Sequence, residues 1–267
     1  MGYFGIQKYN DQLYQFKDPL GVLATLVIGK NKALLVDTCY GIGDLKEAVR
    51  NITDKELIVV NSHGHMDHSC GNYQFSEVWI HKDDVELCKE HNSYERRKKN
   101  LDNANDKLPH NFDKEAYLKQ NEGNLKILNL PCVFDLGGIT LEVIEVPGHT
   151  KGSIALYSKE MKLMIVSDAS CPFVWLFLKE SLPVSVYIKS VEKLLTYDFD
   201  NFLVGHGARL LPKYRMDEFL LTAKEIDISK SIKVSFGSFE DLNSYCYTKY
   251  KLYDQDGAGV VFDPDKL

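Results

Sequence analysis

The chain has 267 residues, 44% of them hydrophobic and 26% charged, with a formal net charge of −6. That composition is ordinary for a globular protein, and the acidic balance argues against nucleic acid, whose binding draws on clustered Lys and Arg. Apolar runs fall well short of the roughly 20 residues that cross a bilayer, so no membrane association is expected.

In chain order, Gln12 to Phe16 alternates, Val22 to Ile28 is almost continuously apolar, and Ala33 to Val36 follows the turn signal Gly29-Lys30-Asn31-Lys32. These stretches predict a meander of short strands. The opening Met1-Gly2-Tyr3-Phe4-Gly5-Ile6 has no basic stretch leading into an apolar one, and the six cysteines are scattered without CxxC pairing. Both features point to reduced thiols in a cytoplasmic setting. Asp37 closes a buried strand with a carboxylate, and Asp44 is placed to cap a helix running to about Asn51. Asp37 has two readings at this point: it caps the following turn, or it orients a metal-bound imidazole by accepting its second N–H.

The apolar run Leu57-Ile58-Val59-Val60 then ends in Asn61-Ser62-His63-Gly64-His65-Met66-Asp67-His68. His63, His65, Asp67 and His68 put four metal-competent side chains within six residues at the exit of a strand. Neutral imidazole with carboxylate is the ligand set that suits Zn(II), Fe(II) or Mn(II). Cys70 and Cys171, close to ligand-type residues, are read as buried free thiols. Glu77 to Ile80 resumes a strand, and Lys82 to Lys89 is helical in pattern. His81, His91 and His110 stand alone and are read as packed or surface residues. Residues 90–123, rich in Lys, Asn and Asp, are expected to form an inserted polar helical segment, a candidate lid. Within it, Arg96-Arg97-Lys98-Lys99 reads as a solvated helix face.

The second half repeats the strand pattern at 125–128, 140–146, 153–157 and 162–166, separated by turns such as Leu136-Gly137-Gly138. Three exits carry ligand-type side chains beside sharp turns: Pro147-Gly148-His149-Thr150, Val166-Ser167-Asp168 and Gly205-His206-Gly207. Helices are expected at 183–195 and 213–227, and a final hairpin between Tyr245 and Pro264 around Asp256-Gly257. No Ser/Pro-rich linker divides the chain, so one domain over 1–267 is expected. Periodicity alone gives a mixed α/β class.

Taken in order, HxHxDH at His63 to His68, Gly-His-Thr at His149, Asp168 after its strand and Gly-His-Gly at His206 resemble the metallo-β-lactamase superfamily. The matching positions run from Asp37 to His206. The resemblance implies an α/β fold of the four-layered αββα sandwich type, with metals at one edge of the sheets. It also implies a dinuclear site, with one metal held by His63, His65 and His149 and a second by Asp67, His68 and His206, bridged by Asp168. Two zinc ions are expected, with Fe or Mn as alternatives. Asp at 168 is similar to the glyoxalase II and lactonase branches, whereas lactamases carry Cys or Ser around that position. His65 departs from the diiron oxygen reductases, which place Glu there.

The activity implied is hydrolysis of an ester, thioester or lactone carbonyl by a hydroxide shared between two ions, with Asp67 as the catalytic proton acceptor. The expected partner is a small-molecule substrate. Trp175 and Phe177, in the apolar stretch Cys171 to Leu178, are expected to wall its pocket, and Tyr187 to offer a phenol to an oxyanion. The rival expectation for that stretch is a packed strand or a homodimer contact. Alternative activities are a mononuclear-iron persulfide dioxygenase and a phosphodiesterase.

Overall fold

The computed structural model describes residues 2–207, 209–236, 242–254 and 256–267. These form two compact units, Met1–Val143 with Gly205–Ala208, and Ile144–Val204 with Arg209–Leu267. Among the described residues no helix is long and apolar enough to cross a membrane.

The first unit is built on a seven-stranded sheet in sequential order: β1 (Gly5–Asn10), β2 (Leu13–Lys17), β3 (Leu23–Ile28), β4 (Lys32–Val36), β5 (Glu56–Val60), β6 (Val78–Ile80) and β7 (Leu125–Ile127). The first four strands are antiparallel neighbours, and β4 to β7 run parallel. Parallel pairing needs a crossover, and here helices supply it. Helix α1 (Leu45–Arg50) is capped by Asp44, whose carboxylate accepts the Glu47 N–H. It returns the chain from β4 to β5 and buries Leu45 and Val49 against Ala24, Leu26, Ala33 and Leu35 of the sheet. The short helix α2 (Met66–Ser69) lies in the next crossover, just past β5. In such sheets the carboxyl ends of parallel strands are where ligands bind. Register pairs Val36 with Val60, so Asp37 and Asn61 leave the sheet side by side.

Helices α3 (Val85–His91), α4 (Tyr94–Ala104) and α5 (Lys114–Leu118) follow, the last two inside the polar segment 90–123. The solvated face expected at Arg96 to Lys99 needs correction at one residue: Arg97 is 0% exposed. Its guanidinium donates to Asn92 Oδ1 at 2.7 Å and to the Asn121 carbonyl at 2.9 Å. It also lies over the Tyr117 ring, 4.9 Å from the centroid, so the buried charge is met by carbonyl oxygens and a π face. Strand β8 (Val133–Asp135) pairs antiparallel with β9 (Thr140–Glu145).

In the second unit β10 (Ile154–Ser158) and β11 (Leu163–Ser167) form an antiparallel pair. Strand β13 (Asn201–Val204) lies parallel to β11 and antiparallel to β14 (Leu211–Pro212). Helix α6 (Val184–Leu195) buries Val184, Tyr187, Val191 and Leu194, one stripe at helical spacing. With α7 (Tyr214–Lys224) it covers Met164, Val166, Phe202 and Val204 of the sheet. A smaller sheet has the order β12 (Phe173–Leu176), β17 (Gly259–Phe262), β16 (Tyr245–Thr248), β15 (Ile232–Lys233). The expected terminal hairpin is β16 with β17; Gln255 of its connection lies outside the described residues. The stretch after Asp168, expected to be a pocket wall or a packed strand, is strand β12, paired in parallel with β17. Each unit is therefore a β layer with helices on it, the mixed α/β class that periodicity predicts.

Candidate metal centre

The histidine loop of the first unit owes its shape to the end of β5. Gly64 sits so close to the start of α3 that a Cβ would lie 2.8 Å from the Asp84 carbonyl oxygen and 2.9 Å from the Cys88 nitrogen. No larger residue fits between His63 and His65 without moving that backbone. The Gly64 N–H donates to the Asp84 carboxylate at 2.8 Å, which fixes the turn. His63 Nε2 then faces His65 Nδ1 at 3.1 Å.

Asp37 sets the tautomers. Its carboxylate accepts the Ser62 N–H and the Ser62 hydroxyl, each at 2.7 Å, and His68 Nδ1 at 2.9 Å. The Ser62 hydroxyl hydrogen is thereby directed at Asp37, so Ser62 Oγ accepts the proton on His63 Nδ1 at 2.9 Å. In both imidazoles Nδ1 carries the proton and Nε2 is left as the donor atom for a cation. The backbone of Asp37 is itself left-handed, with φ 67°, a conformation that Asp tolerates better than most residues.

Asp67 Oδ2 lies 3.4 Å from His68 Nε2 and 3.4 Å from His206 Nε2. Burial works to raise the Asp67 carboxyl, but the neighbouring His68 and His206 outweigh it and hold the group well below the usual carboxylate range. His206, with a side chain 44% exposed, is placed by its backbone instead of by packing. It bridges to Val22, and Leu23 N–H donates to the Gly205 carbonyl at 2.9 Å. Among the described residues the donor atoms of His63 and His65, and those of Asp67, His68 and His206, lie within 4.8 Å of one another.

The second unit has a smaller group of its own. β11 ends in Ser167, whose φ of 47° turns the chain sharply, and Asp168 follows. Asp168 Oδ2 stands 3.9 Å from His149 Nε2. His149 Nδ1 donates to the Trp175 carbonyl at 2.7 Å, which again leaves Nε2 as the donor atom. The side chain of Trp175 is half-buried on β12, 5.2 Å from the Phe177 ring and 4.6 Å from the Phe236 ring. Tyr187, by contrast, is wholly buried on the packed stripe of α6, and its phenol does not reach the surface. Helical spacing accounts for its position.

His81 closes β6 and accepts the Asp83 N–H on Nδ1 at 3.3 Å, capping the next turn. His81→Ala is therefore expected to leave metal content, measured by elemental analysis, unchanged. A fall to half occupancy would put His81 among the ligands. His91 was not distinguishable by sequence from the other lone histidines, yet its ring stacks on His65, with centroids 5.0 Å apart.

The donor chemistry fits a divalent metal. Two ring nitrogens facing each other at 3.1 Å, and a carboxylate oxygen with two imidazole nitrogens around one point, are electron-rich groups that a cation reconciles. The family model described as metallo-beta-lactamase superfamily matches residues 18–206, more than half of the chain. The acyl-coenzyme A thioesterase MBLAC2 of Homo sapiens is 28% identical over 156 residues, covering 54% of this chain and 56% of that protein. The chain thus matches little more than half the length of this relative. The thioesterase MBLAC2 of Gallus gallus is 25% identical over 180 residues, covering 64% of this chain and 65% of its own. A metallo-beta-lactamase from Pontibacter korlensis superposes with a TM-score of 0.62 at 14% identity, covering 84% of this chain and all of its own. A sec-alkylsulfatase from Pseudomonas sp. gives 0.62 at 15%, covering 83% of this chain and 41% of its own. At these identities the structures speak for the fold, which is the metallo-β-lactamase α/β fold. The histidine loop, the fold and the family match lead to one assignment: the chain belongs to the metallo-beta-lactamase superfamily.

Proposed function

We propose that the chain is a dinuclear metal hydrolase of activated acyl compounds, with thioesters of the acyl-coenzyme A type ahead of esters and lactones. His149 and Asp168 would complete the ligand sets, His149 with His63 and His65, and Asp168 with Asp67, His68 and His206. On this reading the two compact units act as one domain, and six cysteines without a disulfide suit a reducing cytoplasm. The observation that carries it is the Asp37 carboxylate on Ser62 Oγ and His68 Nδ1, which leaves the Nε2 atoms of His63 and His68 as donor atoms. The thioesterase relatives favour sulfur over oxygen as the leaving atom.

When bound, a pair of divalent ions supplies Lewis acidity and makes water a nucleophile at neutral pH, with zinc the expected occupant. Asp67 does the proton work. Its side chain is 20% exposed, so the carboxylate meets solvent while Oδ2 is turned toward two imidazoles. As an ionised carboxylate it accepts the proton that water gives up as the C–O bond forms. It passes that proton toward the departing sulfur as the C–S bond breaks, and the products are a carboxylate and a thiol. A thiol leaving group, with a pKa of about 8.5, needs little further help. Trp175 and Phe177, joined by Phe236, form the aromatic wall for the acyl chain. The carbonyl of Trp175 also accepts a hydrogen bond from His149 Nδ1, so one residue of the wall orients a ligand.

Elemental analysis with a substrate panel tests this. Zinc or a similar ion at two per chain, and thiol release from acyl-coenzyme A thioesters that stops on chelation, is expected. One iron with oxygen uptake on a persulfide, or turnover of phosphodiesters without thioesters, would overturn it.

A further inference from the structure

The polar segment 90–123 grips one peptide unit of the histidine loop at both of its polar ends. The unit joins His65 to Met66. At its carbonyl end, Ser69 Oγ donates to His65 O at 2.8 Å. Asn92 Nδ2 donates to Ser69 Oγ at 2.9 Å, and the buried Arg97 donates to Asn92 Oδ1 at 2.7 Å. At its amide end, the Met66 N–H donates to His91 Nδ1 at 3.2 Å. The His91 ring also lies nearly parallel to that of His65, at 21°. All six residues except Met66 are buried, and Arg97 is tied down again by the Asn121 carbonyl.

A peptide plane held at C=O and N–H cannot rotate, and the adjoining ring is stacked besides. These are the two freedoms that decide where His65 Nδ1 points: the backbone torsion beyond its Cα and the tilt of its imidazole. We infer that His91, Asn92 and Arg97 are positioning residues for His65 as a metal ligand, acting through Ser69 and the His65–Met66 peptide. The inference rests on the reading that His65 holds metal. It gives the polar segment a fixed supporting role beside the histidine loop. A buried guanidinium hydrogen-bonded to an asparagine side chain is a costly way to fill space, but a stiff way to orient that amide.

Three variants of the full chain separate the links. Ser69→Ala removes the hydroxyl between Asn92 and His65. Asn92→Asp keeps the acceptor for Arg97 but replaces the donor to Ser69, and His91→Phe keeps a stacked ring while losing the acceptor for Met66. The probe is Co(II) alone, titrated into metal-free protein with competition by a chelator, and read by visible ligand-field absorption. Removing such outer partners weakens metal binding by about 10- to 100-fold. The expected result is that loss confined to one of two Co(II) equivalents, with an altered ligand-field spectrum and an unchanged circular dichroism spectrum.

Wild-type affinity and spectrum in all three variants would overturn the inference. So would equal weakening of both equivalents in step with a fall in melting temperature, because that marks a purely structural role. Should His91→Phe not fold, Ser69→Ala gives the same reading from the other end of the peptide. Wild-type chain that takes up no Co(II) would remove the metal reading itself and the inference with it, a result distinct from normal uptake by the variants.

Discussion

Asp67→Asn is expected to lower kcat for thioester hydrolysis by about two to four orders of magnitude, while the melting temperature of the metal-free protein stays near that of wild type. The substitution is isosteric, so packing around α2 is kept. What changes is charge and polarity at one oxygen, Oδ2, placed 3.4 Å from both His68 Nε2 and His206 Nε2. An amide turned either way fails there. With oxygen inward it is a weak, neutral ligand; with nitrogen inward it donates to imidazole lone pairs meant for a cation. The proton acceptor disappears in the same step. Steady-state kinetics on an acyl-coenzyme A substrate, beside metal content, separates the two losses. Full metal content with kcat reduced places the effect on proton transfer, and retained turnover would refute the role given to Asp67.

Sequence and structure diverge in instructive places. The histidine loop was legible because its chemistry is compressed: four ligand-type side chains in six residues, after an apolar strand, have few other uses. Strand β3 and the stripe of α6 were legible because burial writes itself in apolar periodicity. Strand β1 was not, since it is an exposed, polar edge. Helix α4 was expected, but its inward face was not, for the opposite reason. Its buried stripe consists of Arg97, Asn100 and Ala104, so the inward face carries residue types that normally mark the outward one. Arg97 donates to the Asn121 carbonyl and lies over the Tyr117 ring, both far along the chain, and no local pattern announces such contacts. His91 was lost among the lone histidines because stacking on His65 is a tertiary fact. The boundary between the two compact units has no sequence signal, because β9 runs unbroken across Val143 and Ile144.

Asp37→Ala is expected to cost about 3 kcal/mol of unfolding free energy in the metal-free protein and to weaken metal binding about 10- to 100-fold. The carboxylate accepts three hydrogen bonds from buried groups: the Ser62 N–H, the Ser62 hydroxyl and His68 Nδ1. Removing it strands those donors, each at about 1–3 kcal/mol, although the hydroxyl can turn toward another acceptor. Alanine also sits less well than Asp at a φ of 67°. The effect on metal comes by a separate route. Without Asp37 nothing holds the proton of His68 on Nδ1, and the Ser62 hydroxyl is free to donate to His63 Nδ1, which moves the His63 proton to Nε2, the donor position. Urea unfolding of the metal-free chain reads the first effect, and chelator competition reads the second. Asp37→Asn divides them: one acceptor oxygen remains for Ser62, so stability falls less, while the amide N–H faces His68 Nδ1 and still favours the wrong tautomer. An Asp37→Asn protein as metal-avid as wild type would show that Asp37 only supports the fold, and that the histidine tautomers are set elsewhere.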